Sequence, residues 1–222
     1  MASLFAEAGA IIRALFTNDA WAISQALGAE GAWLVGLAAT LLGAVLVLTI
    51  YRLVPFLDRH FERTVMVYSY LIIAGIIFVE VFRRFVLSEQ SPWSTTLPPF
   101  LFLIMTWFGC SYNVRLRTHL AFSELRANLS RRGQLFWLCV DAVLWLVFCW
   151  IVVVTSARVT ANSAANFQIM LGTDDVLQWW FLATVPLSFI ILAARVLENV
   201  LEDFANYRSD RPVMVQAVIG AD

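Results

Sequence analysis

The sequence contains no lysine, and only two of its 222 residues are histidines, His60 and His119. Charged residues of all kinds make up 14% of the chain, whereas soluble domains carry roughly a quarter. Hydrophobic residues reach 61%, which is well above the soluble average. This shortage of charge argues against an ordinary soluble domain and indicates an integral membrane protein.

The sequence also lacks the groups that would carry chemistry. The three cysteines, Cys110, Cys139 and Cys149, lie inside apolar runs and form no CxxC pair. Neither a GxSxG nor an HExxH motif is present, and both histidines fall in predicted loops, whereas membrane-bound haem needs axial ligands inside helices. We therefore expect no catalytic residue, no metal site and no cofactor, and a protein that is not an enzyme.

Long apolar runs, by contrast, are abundant. Five of them are long enough to cross a bilayer as helices, at about residues 32–51, 64–82, 97–114, 135–157 and 176–194. Helices are expected because lipid offers no hydrogen-bond partner to an open backbone. The predicted fold is an all-α integral membrane protein, a bundle of about five transmembrane helices over residues 32–204.

Two further segments flank the predicted bundle. Residues 1–31 place Leu4, Ala8, Ile11 and Leu15 at helical spacing, which is compatible with an amphipathic helix lying in the membrane interface. A frayed, weakly amphipathic terminus is the alternative, and the sequence does not separate the two. Residues 205–222 are predicted to be a cytoplasmic tail.

The arginines predict the orientation. If all five segments cross, eleven arginines lie on the side that holds the large basic loop and the C-terminus, and four lie on the other side. Because positive charge is retained in the cytoplasm, the C-terminus is predicted to be cytoplasmic and the N-terminus periplasmic.

One carboxylate, Asp141, falls well inside a predicted span. An acid at that depth is by default a functional candidate, and it needs a partner at similar depth. Arg195 is the first expected partner and Arg115 the second. We favour a structural ion pair that joins two helices over a proton or ion site, because no second carboxylate lies at that depth.

Three charged residues end the second span in the sequence FVEVFRRF. Glu80 precedes Arg83 and Arg84 by three and four positions, a spacing that puts side chains on one helical face. We expect Glu80 to pair with one arginine and to leave the other for lipid phosphate or a neighbouring subunit. Both arginines lie on the side where positive charge is disfavoured, so they do not serve as a topology signal.

The middles of the spans are nearly featureless. They lack the broken helices and clustered polar groups that line a transport path. Small residues repeat every four positions in the first span, at Ala32, Gly36, Thr40 and Ala44. Such a face permits close helix contact, either within this chain's own bundle or with another subunit.

The order of these features resembles that of the small membrane subunit of tripartite ATP-independent periplasmic (TRAP) transporters, the DctQ-like family. The matching places are Arg84 (or Arg83) after a span, Trp93-Ser94, Phe102 with Gly109, the basic residues Arg115 and Arg117, and His119. The resemblance covers about residues 64–204. It departs from the family at Thr95-Thr96, where paired glutamates are usual, and in the additional N-terminal span.

The resemblance implies a function and partners. It implies a non-catalytic scaffold subunit of a sodium-coupled, binding-protein-dependent transporter of organic acids in the bacterial inner membrane. The expected partners are the large permease subunit, a periplasmic substrate-binding protein and membrane lipids, with no nucleic acid. The alternatives are a membrane anchor of a redox complex that binds quinone or haem, and a small homo-oligomeric transporter.

Overall fold

Helices account for most of the described backbone. The computed structural model describes residues 2–117 and 129–212. The helices are α1 (Ala2–Phe16), α2 (Ala20–Leu27), α3 (Gly31–Leu53), α4 (Pro55–Phe82), α5 (Trp93–Arg115), α6 (Arg131–Ala165), α7 (Trp179–Leu182) and α8 (Thr184–Arg208). A single π-helical turn, Arg83–Leu87, continues α4.

Five of these helical segments are long and apolar enough to cross a membrane: α3, α4 with its π turn, α5, α6, and α7 with α8. The predicted all-α membrane bundle is therefore confirmed. The helices run past the apolar segments into the polar flanks. Val54 alone separates α3 from α4, and Pro55 at the first position of α4 supplies the fixed backbone angle that suits a helix start.

Helix α8 is the central element of the bundle. It packs against α3, α5 and α6, and half of its most apolar stretch is buried. The consecutive residues Leu192, Ala193 and Ala194 are almost fully enclosed, and Phe189 lies one turn before them. Small side chains at this contact let the neighbouring backbones approach closely.

Helix α4 lies at the periphery. It packs mainly against α5, and only 11% of its most apolar stretch is buried. Glu62 and Ser69 are its buried residues, and its exposed side includes Leu71, Phe78 and Phe82. A spanning helix with this much exposed apolar surface must face lipid or another protein.

The N-terminal segment forms two helices that are attached to the bundle. Asp19 caps α2 by accepting hydrogen bonds from the backbone N–H of Trp21 (2.9 Å) and Ala22 (3.3 Å). Glu7 of α1 accepts a hydrogen bond from the backbone N–H of Gly31 at the start of α3 (2.9 Å). We call the end of the bundle that carries α1 and α2 the N-terminal end, and the opposite end the arginine-rich end.

Arg158 of α6 also joins the N-terminal helices to the bundle. It donates hydrogen bonds to the carbonyls of Leu27 (2.8 Å) and Ala29 (3.0 Å), at the end of α2. Its guanidinium also lies over the ring of Trp33. These contacts satisfy carbonyl groups that the end of a helix leaves without partners.

The small-residue face of α3 points into the chain's own bundle. Ala32, Gly36, Thr40 and Ala44 are all buried. A Cβ added at Gly36 would lie 2.2 Å from Cγ2 of Val154 on α6. Of the two roles that the sequence left open for this face, the structure shows packing within the chain.

Candidate functional site

Arg195 of α8 is the most enclosed charged group among the described residues, with no exposed side-chain surface. Its Nε and Nη2 donate to the two carboxylate oxygens of Glu62, at 2.8 and 2.9 Å. Its Nη1 donates to Asp58 (2.5 Å) and to Glu198 (2.7 Å). Every nitrogen of the guanidinium therefore has a carboxylate partner, which is the strong, geometrically specific form of this interaction.

Two further groups complete the surroundings of Arg195. The ring of Tyr51, at the end of α3, lies 4.3 Å from the guanidinium carbon, within range of a cation–π interaction. Arg115 of α5 donates to the second carboxylate oxygen of Asp58 (3.3 Å) and to the carbonyl of Arg59 (3.3 Å). We call Arg195, Asp58, Glu62, Glu198 and Arg115 the arginine cluster.

The arginine cluster joins three spanning helices at one end of the bundle. Asp58 and Glu62 come from the first two turns of α4, Arg115 from the last turn of α5, and Arg195 and Glu198 from α8. Removing one partner from a buried charge network costs about 3–5 kcal/mol, because it leaves another charge uncompensated. The cluster therefore fixes how α4 and α5 sit on α8.

Other arginines at the same end extend these contacts. Arg117 pairs with Asp203 of α8 (2.7 Å) and donates to the carbonyl of Asn199 (3.1 Å). Arg131, at the start of α6, pairs with Asp210 and lies over the ring of Tyr207. The helix ends at the arginine-rich end are thus joined mainly by guanidinium groups.

The two arginines expected to pair with Asp141 make contacts to residues of α4 and α8, and the pairing of Asp141 itself stays a prediction. The nitrogens of Arg195 donate to Asp58, Glu62 and Glu198, and Arg115 pairs with Asp58. Asp141 itself lies on α6, partly buried, next to the buried Ala142. The sequence held a signal for the observed pairing: Asp58 and Glu62 stand four residues apart, on one face of the helix that begins at Pro55.

The turn after α4 also differs from the expectation. Glu80 accepts a hydrogen bond from the backbone N–H of Ser91 (3.2 Å) and is not paired with either arginine. Arg83 pairs with Glu89 (3.3 Å), and its Nε is buried with no hydrogen-bond partner among the described residues. The loop between α4 and α5 supplies both observed partners, Ser91 for Glu80 and Glu89 for Arg83.

Arg84 is exposed in this turn, and its side chain makes no hydrogen bond or ion pair within the described residues. Thr95 and Thr96 occupy the positions where the resembling family has glutamates. Their hydroxyls donate to the carbonyl of Pro92 at the start of α5, at 3.0 and 3.4 Å. The threonines thus serve the first turn of the helix and do not supply Arg84 with a carboxylate.

The remaining predicted residues lie apart from one another. Trp93 begins α5, where its backbone N would be 2.8 Å from a Cβ added at Gly172 in the loop after α6. Gly172 has a φ of 76°, which glycine adopts without strain. Gly109 is buried where α5 meets Met66 of α4. His119 lies outside the described residues.

These features define a class: a multi-pass helical membrane protein whose buried charges join its own spanning helices. The family model for the DctQ component of tripartite ATP-independent periplasmic transporters matches residues 73–206, which is more than half of the chain. The chain belongs to this family and is a small component of a TRAP transporter. A comparison with curated proteins finds no match.

Proposed function

We propose that this chain is the non-catalytic scaffold subunit of a sodium-coupled TRAP transporter for organic acids. In this proposal it binds the large permease subunit, to which a periplasmic binding protein delivers the substrate. The chain enlarges the immobile part of the complex, and the substrate and the sodium ions pass through the large subunit.

The observation that carries this proposal is that polar side chains within the spans form hydrogen bonds to the chain's own backbone. Hydroxyl groups within the spans donate to backbone carbonyls, as Thr40 does to Gly36 (2.7 Å) and Thr106 to Phe102 (2.8 Å). Ser111 of α5 donates across to the carbonyl of Ser188 on α8 (3.2 Å). Hydroxyl groups that are satisfied in this way, within one helix or between two, do not line a path for a solute.

The exposed side of α4 from Gly75 to Phe82 is the surface that we propose for the large subunit. It carries a continuous run of apolar side chains, and a Cβ added at Gly75 would meet nothing within 4 Å. The exposed Arg84 follows at the end of the same helix. The sequence suggested the first two spans for this role, but the small-residue face of α3 is buried within the chain.

Co-purification with the large subunit tests the proposal. The tagged chain, expressed with its genomic neighbours and extracted in mild detergent, is expected to retain a much larger membrane protein. Gly75→Trp is expected to reduce that recovery severalfold, because a large side chain on the exposed face of α4 would separate packed helices. The measurement is the ratio of the two proteins after affinity purification.

A matched control is Val143→Trp, which places the same side chain on an exposed position of α6. It is expected to leave the recovery unchanged. Equal loss in both variants would contradict the assignment to α4. Recovery of no large membrane protein by the unmodified chain would contradict the scaffold function itself.

For the location, we propose the bacterial inner membrane with a periplasmic N-terminus and a cytoplasmic C-terminus. The eleven-to-four distribution of arginines supports this orientation. In this orientation α1 and α2 lie at the periplasmic interface, which suits the exposed Phe5, Phe16 and Trp21.

Cysteine labelling tests the orientation. A cysteine introduced at the exposed Gln25 is expected to react with a membrane-impermeant maleimide in intact spheroplasts, and one at the exposed Ser209 only after lysis. The unmodified chain, whose three cysteines lie inside spanning helices, provides the background. The reverse pattern would overturn the proposed orientation.

A further inference from the structure

A cavity of about 650 Å³ opens between α4 and α5 at the arginine-rich end. Arg59, His60 and Arg63 line it from α4, and Tyr112, Arg115 and Leu116 line it from the end of α5. It adjoins the arginine cluster through Arg115, yet neither the scaffold function nor the contacts within the bundle account for it.

The charges around this cavity are unbalanced. Within the described residues, the carboxylates of Asp58 and Glu62 are taken up by Arg195 and Arg115. Arg59 and Arg63 are exposed, and neither forms an ion pair with any described residue. They stand four residues apart on one face of α4, where like charges repel each other. An anion in the cavity would relieve that repulsion.

The cavity lies at the depth of lipid headgroups. Arg63 directly precedes the apolar run that begins at Thr64, and Tyr112 and Arg115 close the apolar part of α5. One and two turns beyond Arg63 on the same face of α4, Val67 and Leu71 are exposed and apolar. A basic cavity with an adjoining apolar strip matches the phosphate-bearing headgroup and the acyl chains of a phospholipid.

We propose that this cavity binds the phosphate group of an anionic phospholipid. The guanidinium groups of Arg59 and Arg63 contact the phosphate oxygens, for which their planar donors are well suited. Arg115, held in place by Asp58, contributes positive charge from the opposite wall. The acyl chains lie along Val67 and Leu71. Basic cavities between membrane helices are a recurrent form of headgroup site.

Lipid retention by the purified full-length chain tests the proposal. The chain in a neutral detergent is titrated with phosphatidylglycerol, and native mass spectrometry measures the bound fraction. Each arginine near a membrane surface contributes about 1 kcal/mol toward anionic lipid, so Arg59→Gln combined with Arg63→Gln should weaken binding by roughly tenfold or more. Arg52→Gln combined with Arg208→Gln is the control, since both arginines are exposed and lie outside this cavity.

Further titrations identify the source of the phosphate. Phosphatidylcholine and free glycerol phosphate, at the same phosphate concentration, are expected to bind at least fivefold more weakly than phosphatidylglycerol. Equal binding of glycerol phosphate would overturn the lipid assignment in favour of a soluble phosphate ligand. Equal loss of phosphatidylglycerol in the cavity and control variants would overturn the site. Thermal unfolding without added lipid checks that both double variants are folded.

Discussion

Arg195→Leu is expected to lower the free energy of unfolding by about 3–5 kcal/mol, the largest effect of any single substitution considered. The substitution removes both hydrogen bonds that Glu62 receives from the guanidinium, while the Glu62 side chain remains only 1% exposed. Asp58 keeps Arg115 as a partner, and Glu198 is exposed enough to reach water. The cost therefore arises mainly from the carboxylate of Glu62, which stays buried without its partner.

Unfolding in mixed micelles, followed by tryptophan fluorescence, measures this cost. Arg208→Leu is the matched control, because Arg208 lies on the same helix but is exposed. It should change the free energy of unfolding by less than about 0.5 kcal/mol, as surface substitutions usually do. A loss of under about 1 kcal/mol for Arg195→Leu would show that the arginine cluster does not hold the helices together.

A second substitution tests whether the unpaired carboxylate of Glu62 causes the loss of stability. In the Arg195→Leu background, Glu62→Gln should recover part of the lost stability, since a neutral amide is less costly to bury than an unpaired carboxylate. In the unmodified background the same Glu62→Gln should be destabilising, because it breaks the bidentate pair. This change of sign is the signature of direct coupling between the two residues.

Gly36→Ala is expected to destabilise the bundle by about 1–3 kcal/mol, the range for overpacking a close contact. The added Cβ would lie 2.2 Å from Cγ2 of Val154, which is 3% exposed. Valine in a helix has one strongly preferred rotamer, so its methyl group cannot simply turn away. Helices α3 and α6 would have to separate.

Gly75→Ala provides the control for this prediction, because its Cβ meets nothing within 4 Å. It should not lower the stability of the isolated chain, since alanine is a better helix former than glycine. Val154→Ala, which removes the obstructing methyl groups, should restore much of the stability when combined with Gly36→Ala. If the two glycine variants unfold alike, the α3–α6 contact is not as close as the structure shows.

The fold followed from the sequence because its signals are local and strong. A run such as residues 64–82 must be helical in lipid, whatever its neighbours are. The order of Arg84, Trp93 and Gly109 along the chain was likewise enough to suggest the family that the match over residues 73–206 then showed. Neither inference required knowing which helices touch.

The arginine cluster did not follow from the sequence, because it depends on which helices meet. Glu62 and Arg195 are 133 residues apart, and hydropathy placed Asp58 and Glu62 in the short linker between the first two predicted spans. That linker is in fact the start of α4, since Pro55 begins a helix directly after Val54. The partners of Glu80 and Arg83 were missed for a similar reason, because Ser91 and Glu89 come from a loop whose path the sequence pattern does not give.

By itself, the sequence determined that this is a membrane protein, that it is helical, how many spans it has and which family it belongs to. These properties depend on composition, run length and residue order. The tertiary structure alone decided the partners of Arg195, the direction of the small-residue face of α3 and the exposure of α4. Each of these depends on distances between helices that are remote in the chain. Hydropathy gives the depth of each residue in the membrane, and only packing shows which residues meet at that depth.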